Sequence, residues 1–392
     1  MSTMPTEVKI AKMALRALRN NNIAINLFYK DLNSEFGKVK EGGVVNVKKP
    51  IKFQSALGRT AQIQPYSQTT IPVKVDMHRH VAWEQNMIDA TLVKSEKQLY
   101  KDLVEPAMIE IAAQVDLDLF TLVKDIPNAI GTAGTTPTTF LSVAQVAGRM
   151  TDISVPLKKR NLVVDSAYQV SMADALKTMY NPKLVEDYLQ SMYIGGLAEF
   201  NVFISQNLPR LTVGVPGGTP LINGANQTGS SIAIDGLSAT GTYKKGDIVT
   251  FASCYEVNPV NRVTQTFLKQ FVVTADFTAS GGAGNLSIEP AIVTTGAYKN
   301  CSASPANNDA ITHKTSSDCQ NNIAFVKDTF AFVSVPIEIP DMPGVGHTET
   351  DEGLSVTVTK GWDVKELQMV YRIDFLYGKK TLYAEQACRH LG

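Results

Sequence analysis

The run from Ser95 to Ile126, SEKQLYKDLVEPAMIEIAAQVDLDLFTLVKDI, constrains the fold more than any other stretch. Leu99, Leu103, Ala107, Ile111, Val115, Leu119 and Leu122 recur at intervals of four and then three, which stacks them on one helix face. Glu96, Lys97, Lys101, Asp102, Glu110, Asp118 and Lys124 fall mostly off that face. Ser95 has the chemistry of an N-cap. At about 1.5 Å per residue such a helix spans roughly 45–50 Å, more than a compact domain needs. Pro106 lies inside the run and predicts a kink or the start of a second helix, because an interior proline costs about 3 kcal/mol. The pattern reads as a spine from which extended parts hang.

What flanks the spine supports that reading. Residues 5–33 have helical spacing (Val8, Ile10, Ala11, Ala14, Leu15, Leu18), broken at Asn20-Asn21-Asn22. Ile10, Leu15 and Leu18 form an apolar stripe, placed either on the chain's own spine or on a neighbouring molecule. Gly42, Gly43, Pro50, Gly58, Pro65 and Pro72 then punctuate strand-like pieces at 44–47, 51–53 and 71–80. This long two-stranded excursion has little to bury, and an isolated hairpin is marginal in water. After the spine, helices are expected at 140–155, 171–180 and 183–192, with strands at 161–164 and 199–204. They mix without strict βαβ alternation, so the body is α+β. From about Gly214 the glycine-rich GVPGGTPLINGANQTGSS leads into short strands at 231–234, 247–252, 267–276 and 285–292. Turns at Lys245-Gly246-Asp247 and Gly281–Gly284 divide them, which predicts a small all-β barrel or sandwich over about Asn223 to Thr315. Apolar, alternating stretches resume from Asn322 to Pro340, at 354–358 and at 367–377, so the β module is an insertion.

The function classes narrow by exclusion. Thirty-seven basic residues balance thirty-seven acidic ones, which argues against a protein that grips nucleic acid chiefly through counterion release. Cys254, Cys301, Cys319 and Cys388 are scattered without a CxxC and suit free thiols in a reducing compartment. No leader opens the chain and no apolar run is long enough to span a bilayer, so a soluble protein made in the cytoplasm is expected, with no membrane partner. Phosphate loops, dinucleotide fingerprints, nucleophile elbows and HExxH are absent. His78 and His80 share a strand face with Lys74 and Asp76, but no third ligand stands at useful spacing, so a solvated face is expected. His347, Glu349 and Asp351 lack the oxygen count of a calcium loop. Cys301, His313 and Cys319 fit no zinc spacing. Asp116 and Asp118 diverge on the helix and cannot act as a carboxylate pair. No catalytic, cofactor-binding or metal site is predicted.

The order of parts resembles a tailed-bacteriophage major capsid protein with the Hong Kong 97-like fold, and the insertion resembles that of the Salmonella short-tailed phage coat and its relatives. The residues that carry this are Tyr243-Lys244-Lys245-Gly246-Asp247-Ile248-Val249-Thr250-Phe251, the stretch NIAFVKDTFAFVSVP from Asn322 to Pro336, and YRIDFLYG from Tyr371 to Gly378. The resemblance implies an N-terminal arm (1–35), an E-loop hairpin (36–82), spine helix and peripheral domain (83–160), a first axial part (161–213), an inserted β-barrel (214–320) and return strands (321–392). It implies pentamers and hexamers of an icosahedral head around double-stranded DNA, held weakly and non-specifically. It also implies a separate scaffolding protein, a portal and decoration proteins. The chain enters its arm helix at once and offers no matched asparagine partner for a loop lysine, so neither maturation cleavage nor covalent cross-linking is expected. The rival class is a carbohydrate-binding or adhesin-like β protein, disfavoured by an insertion without tryptophan.

The expected contacts between copies follow from charge. From Lys38 to Lys52 five lysines (Lys38, Lys40, Lys48, Lys49 and Lys52) stand against Glu41 alone. From Lys94 to Asp125 four lysines face seven acids, among them Glu110, Asp116 and Asp118. In the resembled family the E-loop lies over an adjacent subunit near its spine, so the basic hairpin is expected to meet an acidic neighbour. Ile10, Leu15 and Leu18 complete the set of interface candidates.

Overall fold

A computed structural model describes residues 6–32, 43–55, 57–59, 63–64, 66, 68–86, 103–176, 196–339 and 345–392. The chain divides into two compact units. One comprises Met1–Lys49, Thr69–Phe120 and Phe330–Leu382; the other comprises Pro50–Gln68, Thr121–Thr329 and Tyr383–Gly392.

The first unit is an antiparallel sheet faced by helices. Strand Gln368–Thr381 is its longest member and pairs with Phe330–Ser334, with Leu354–Asp363 and with Met77–Asn86, while Gly346–Asp351 closes the edge beside 354–363. Alternation puts Val356, Val358, Ile373, Phe375 and Tyr377 in the core. Phe332, Phe375 and Tyr377 stack with ring centroids 5.3–6.3 Å apart. The spine helix is described as Glu105–Phe120, continued by a tight turn at Thr121–Asp125. Leu103 and Val104 form a π-helical turn directly before it, so Pro106 sits where the helix changes its hydrogen-bond pattern, as an interior proline favours. The expected N-cap at Ser95 and the first turns to Asp102 lie outside the described residues.

The expected single strand at 71–80 is two. Thr70–Lys74 pairs with Val44–Lys48, and Met77–Asn86 pairs with 368–377. The interruption at Val75-Asp76 lets one chain segment serve two different partners. No strand forms at 51–53, where Pro50 leads into irregular chain.

The second unit holds a mixed seven-stranded sheet and the insertion. The sheet runs Asn128–Gly131, Ala387–Leu391, Cys319–Val326, Arg160–Val164, Phe200–Ile204 and Gly196–Leu197, with Arg210–Leu211 off one end of 319–326. Helix Phe140–Asp152 lays Val143, Val146 and Met150 on Leu162, Val164 and Phe200. The next helix begins at Ser166, five residues before the expected start, because Asp165 accepts the Tyr168 N–H at 2.9 Å and caps it. The expected helix at 183–192 lies outside the described residues.

The insertion is a closed barrel. Six strands follow in the order 311–313, 248–257, 264–273, 284–292, 229–235 and 221–222. The ends join: Leu221 bridges Ala310, and Ile311 N–H donates to the Pro220 carbonyl at 3.0 Å. Gly246 at φ +103° makes the turn before 248–257. Ile232, Phe251, Phe271, Leu286 and Ile288 fill the interior. Closure leaves no open edge, which is why such short strands hold together.

Barrel and host sheet meet across a polar seam within this unit. Glu256 is buried between Lys269 Nζ at 2.7 Å and Arg149 Nη2 at 3.4 Å. The Arg149 guanidinium also lies 3.7 Å over the Phe267 ring. Gln270 clamps Ala129, accepting from its N–H at 2.7 Å and donating to its carbonyl at 2.9 Å. Buried Arg389 donates to the Gly246 carbonyl at 2.7 Å, and burial brings its pKa down to about 10.

Candidate assembly surfaces

The apolar stripe of the arm is spent inside the chain. Helix Thr6–Asn21 packs on Glu105–Phe120 and on the strands 346–351 and 354–363. Ile10, Leu15 and Leu18 are buried in that packing, so within the subunit the stripe lies on the chain's own spine. Glu7 pairs with Lys360, and Arg19 Nη2 reaches Glu352 at 3.0 Å. Lys12, Met13, Arg16 and Arg19 remain on the exposed face.

Two of the three acidic candidates are also engaged internally. Asp116 is buried, and its two carboxylate oxygens accept the N–H groups of Ile23 and Ala24 at 3.0 and 2.9 Å. It thereby caps the short helix Ala24–Leu27, and burial lifts its pKa to about 6. Asp118 takes Arg79 Nη2 at 2.7 Å and Tyr377 Oη at 2.6 Å on one oxygen, while Lys379 donates to its backbone carbonyl. Both carboxylates therefore already hold partners within the subunit. Glu110 is exposed and accepts from Gln114 at 3.1 Å.

The basic hairpin is reduced as well. Lys48 and Lys49 are exposed. Lys52 lies 3.6 Å from Glu385 of its own chain, and its backbone N–H faces the Tyr298 hydroxyl. Lys38 and Lys40 lie outside the described residues. The residues that charge arithmetic missed are apolar: Phe53 and Tyr66 are 64% and 71% exposed, and Leu57 and Ile63 are almost wholly so. Large apolar side chains in a proline- and glycine-punctuated stretch, without strand alternation, were the available signal. A second exposed set, Trp362, Val364 and Leu367, marks the turn between strands 354–363 and 368–381.

His347 and Glu349 pair at 2.9 Å on strand Gly346–Asp351, not in a loop as expected. His313 sits 3.4 Å from Asp247. All four cysteines are buried free thiols. Among the described residues no helix is long and apolar enough to cross a membrane.

A spine helix against an antiparallel sheet, a two-stranded excursion, a mixed axial sheet and an inserted barrel together make the Hong Kong 97-like fold of a tailed-phage capsid subunit. A structure from Mycobacterium phage Che8 superimposes with a TM-score of 0.52 at 14% identity, covering 94% of this chain and 90% of that one. The capsid structure of the cyanophage P-SCSP1u gives 0.46 at 10% identity over 90% and 84% of the two chains, and the mature capsid of bacteriophage PhiM1 gives 0.44 at 10% over 90% and 82%. No curated protein sequence matches the chain. Residues 44–390 match the family described as P22 coat protein, gene protein 5, and the chain belongs to that family of phage coat proteins.

Proposed function

We propose that the chain builds the shell of an icosahedral phage head from copies of itself, arranged as hexamers and pentamers around double-stranded DNA. The family match over residues 44–390 carries this reading. Its work is geometric and not catalytic: one folded body occupies several non-identical positions, and heterologous contacts close the rings. The segment from Gly43 to Lys74 is the element offered to the neighbour. Its exposed Phe53, Leu57, Ile63 and Tyr66 supply apolar area, with Lys48 and Lys49 beside them. A separate scaffolding protein, a portal and decoration proteins are the further partners, and synthesis takes place in the host cytoplasm. Contact with DNA is weak and non-specific, in keeping with balanced charge. Electron microscopy of the chain purified after co-expression with its neighbouring genes tests the proposal. Closed shells of uniform size are expected. A persistent monomer or dimer would contradict it and revive a carbohydrate-binding or adhesin-like role.

A further inference from the structure

The first unit brings together three ligand-type side chains outside the surfaces described above: His78, His80 and Asp374. We propose that they bind one divalent transition metal of the zinc class, stapling strand Met77–Asn86 to strand Gln368–Thr381. Residues two apart on a strand share a face, so both imidazoles stand on the same side of 77–86. Their exposed rings stack, with centroids 5.6 Å apart and planes inclined by 26°. The register places Asp374 directly opposite His80. The third ligand that sequence spacing lacks therefore comes from across the ladder, 296 residues from His78.

The geometry and the donor set agree. Asp374 Oδ1 lies 2.7 Å from His78 Nε2. One ligand atom from each of the three residues lies within 4.8 Å of the other two. A single ion bound at about 2.0–2.2 Å from each fits that span after small side-chain rotations. The ion takes the place of the proton shared by His78 and Asp374, and His78 is exposed enough to swing. Two imidazoles and one carboxylate suit zinc and its transition-metal neighbours, with water completing the shell. Calcium and magnesium want more oxygens than one carboxylate offers.

Arg372 sets the strength of the site. Its Nε donates to the same Asp374 Oδ1 at 2.8 Å, so a fixed cation already shares the carboxylate. Removing that cation therefore tightens metal binding, a response that a merely solvated polar face does not give. The test titrates the metal-stripped full-length subunit with Co²⁺, read by its visible absorption, and then displaces it with Zn²⁺. Wild type is expected to bind a single Co²⁺ per chain and release it to Zn²⁺. His80→Ala, a change at an exposed side chain, weakens binding by about tenfold or more. Arg372→Gln tightens it severalfold. His347→Ala leaves it unchanged, since that imidazole pairs with Glu349 on another strand. Absence of saturable Co²⁺ binding in wild type, or unchanged affinity in His80→Ala, overturns the proposal.

Discussion

The inserted barrel and the segment from Gly43 to Lys74 are both built of short strands, yet they end in opposite conditions. The barrel closes on itself, pairs its last strand with its first and buries Ile232, Phe251, Phe271 and Ile288. The ladder of Val44–Lys48 with Thr70–Lys74 has only two strands and buries Val45 and Val73. Between those strands, Phe53, Leu57, Ile63 and Tyr66 face solvent. One region completes its core within the chain. The other leaves large apolar side chains exposed beside a two-stranded ribbon, which is marginal alone. On the proposed function, stability and assembly fall to different residues, and substitutions should separate them.

The largest effect is expected at the barrel's seam. Glu256→Ala removes the carboxylate between Lys269 and Arg149 and leaves two buried cations without their counter-charge. Breaking a buried pair from one side costs about 3–5 kcal/mol. Denaturant unfolding of the unassembled subunit reads this loss. A change below about 1 kcal/mol would show that the seam is dispensable and that the barrel stands independently of its host sheet.

Asp116 gives the next effect, and its sign follows from linkage. Its folded pKa, about 6, stands above the ordinary aspartate value of 3.8. The stability that protonation contributes is fully present below about pH 3.8 and is lost as pH rises through about 6. Wild type should therefore gain up to about 3 kcal/mol from this group between pH 7 and pH 4, against whatever other groups contribute. Asp116→Asn keeps one acceptor for the Ile23 and Ala24 N–H groups and removes the titration. The difference in unfolding free energy between the two proteins should shift across that window. Parallel pH profiles would contradict the assignment.

These two residues also mark what was legible in the sequence. Local periodicity found the arm helix, the spine and most barrel strands, because each signal lies within a few residues. Met108, Ala112 and Asp116 also continue one row by steps of four, placing Asp116 beside the buried stripe. That row marks Asp116 as buried and not as surface charge. Asp118 lies off it and is engaged instead by Arg79 and Tyr377 from distant strands. The cap on helix 166–176 was local, at Asp165, and readable. The pairing of Lys52 with Glu385 and the meeting of His78 with Asp374 depend on which strands lie side by side, and no spacing in one chain encodes that.

Charge is expected to matter less than apolar area. With Asp116 and Asp118 engaged and Lys52 paired internally, Lys48→Glu with Lys49→Glu acts on exposed lysines. Each exposed pair is worth about 0.2–1 kcal/mol and is screened by salt. Assembly should slow at low ionic strength and recover at high salt, as light scattering would follow. A salt-independent defect would show that these lysines do something other than steer encounter.

The smallest effect on folding belongs to the hairpin, and it tests the division of labour most directly. Phe53→Ser with Leu57→Ser removes apolar side chains that touch solvent. Such surface changes stay within about 0.5 kcal/mol of wild type. The measurement is paired: unfolding of the free subunit, and shell yield by electron microscopy after co-expression with the neighbouring genes. The account predicts an unaltered unfolding midpoint and a loss of regular shells. Normal shells from the double variant, or a subunit that unfolds before it can assemble, would contradict it.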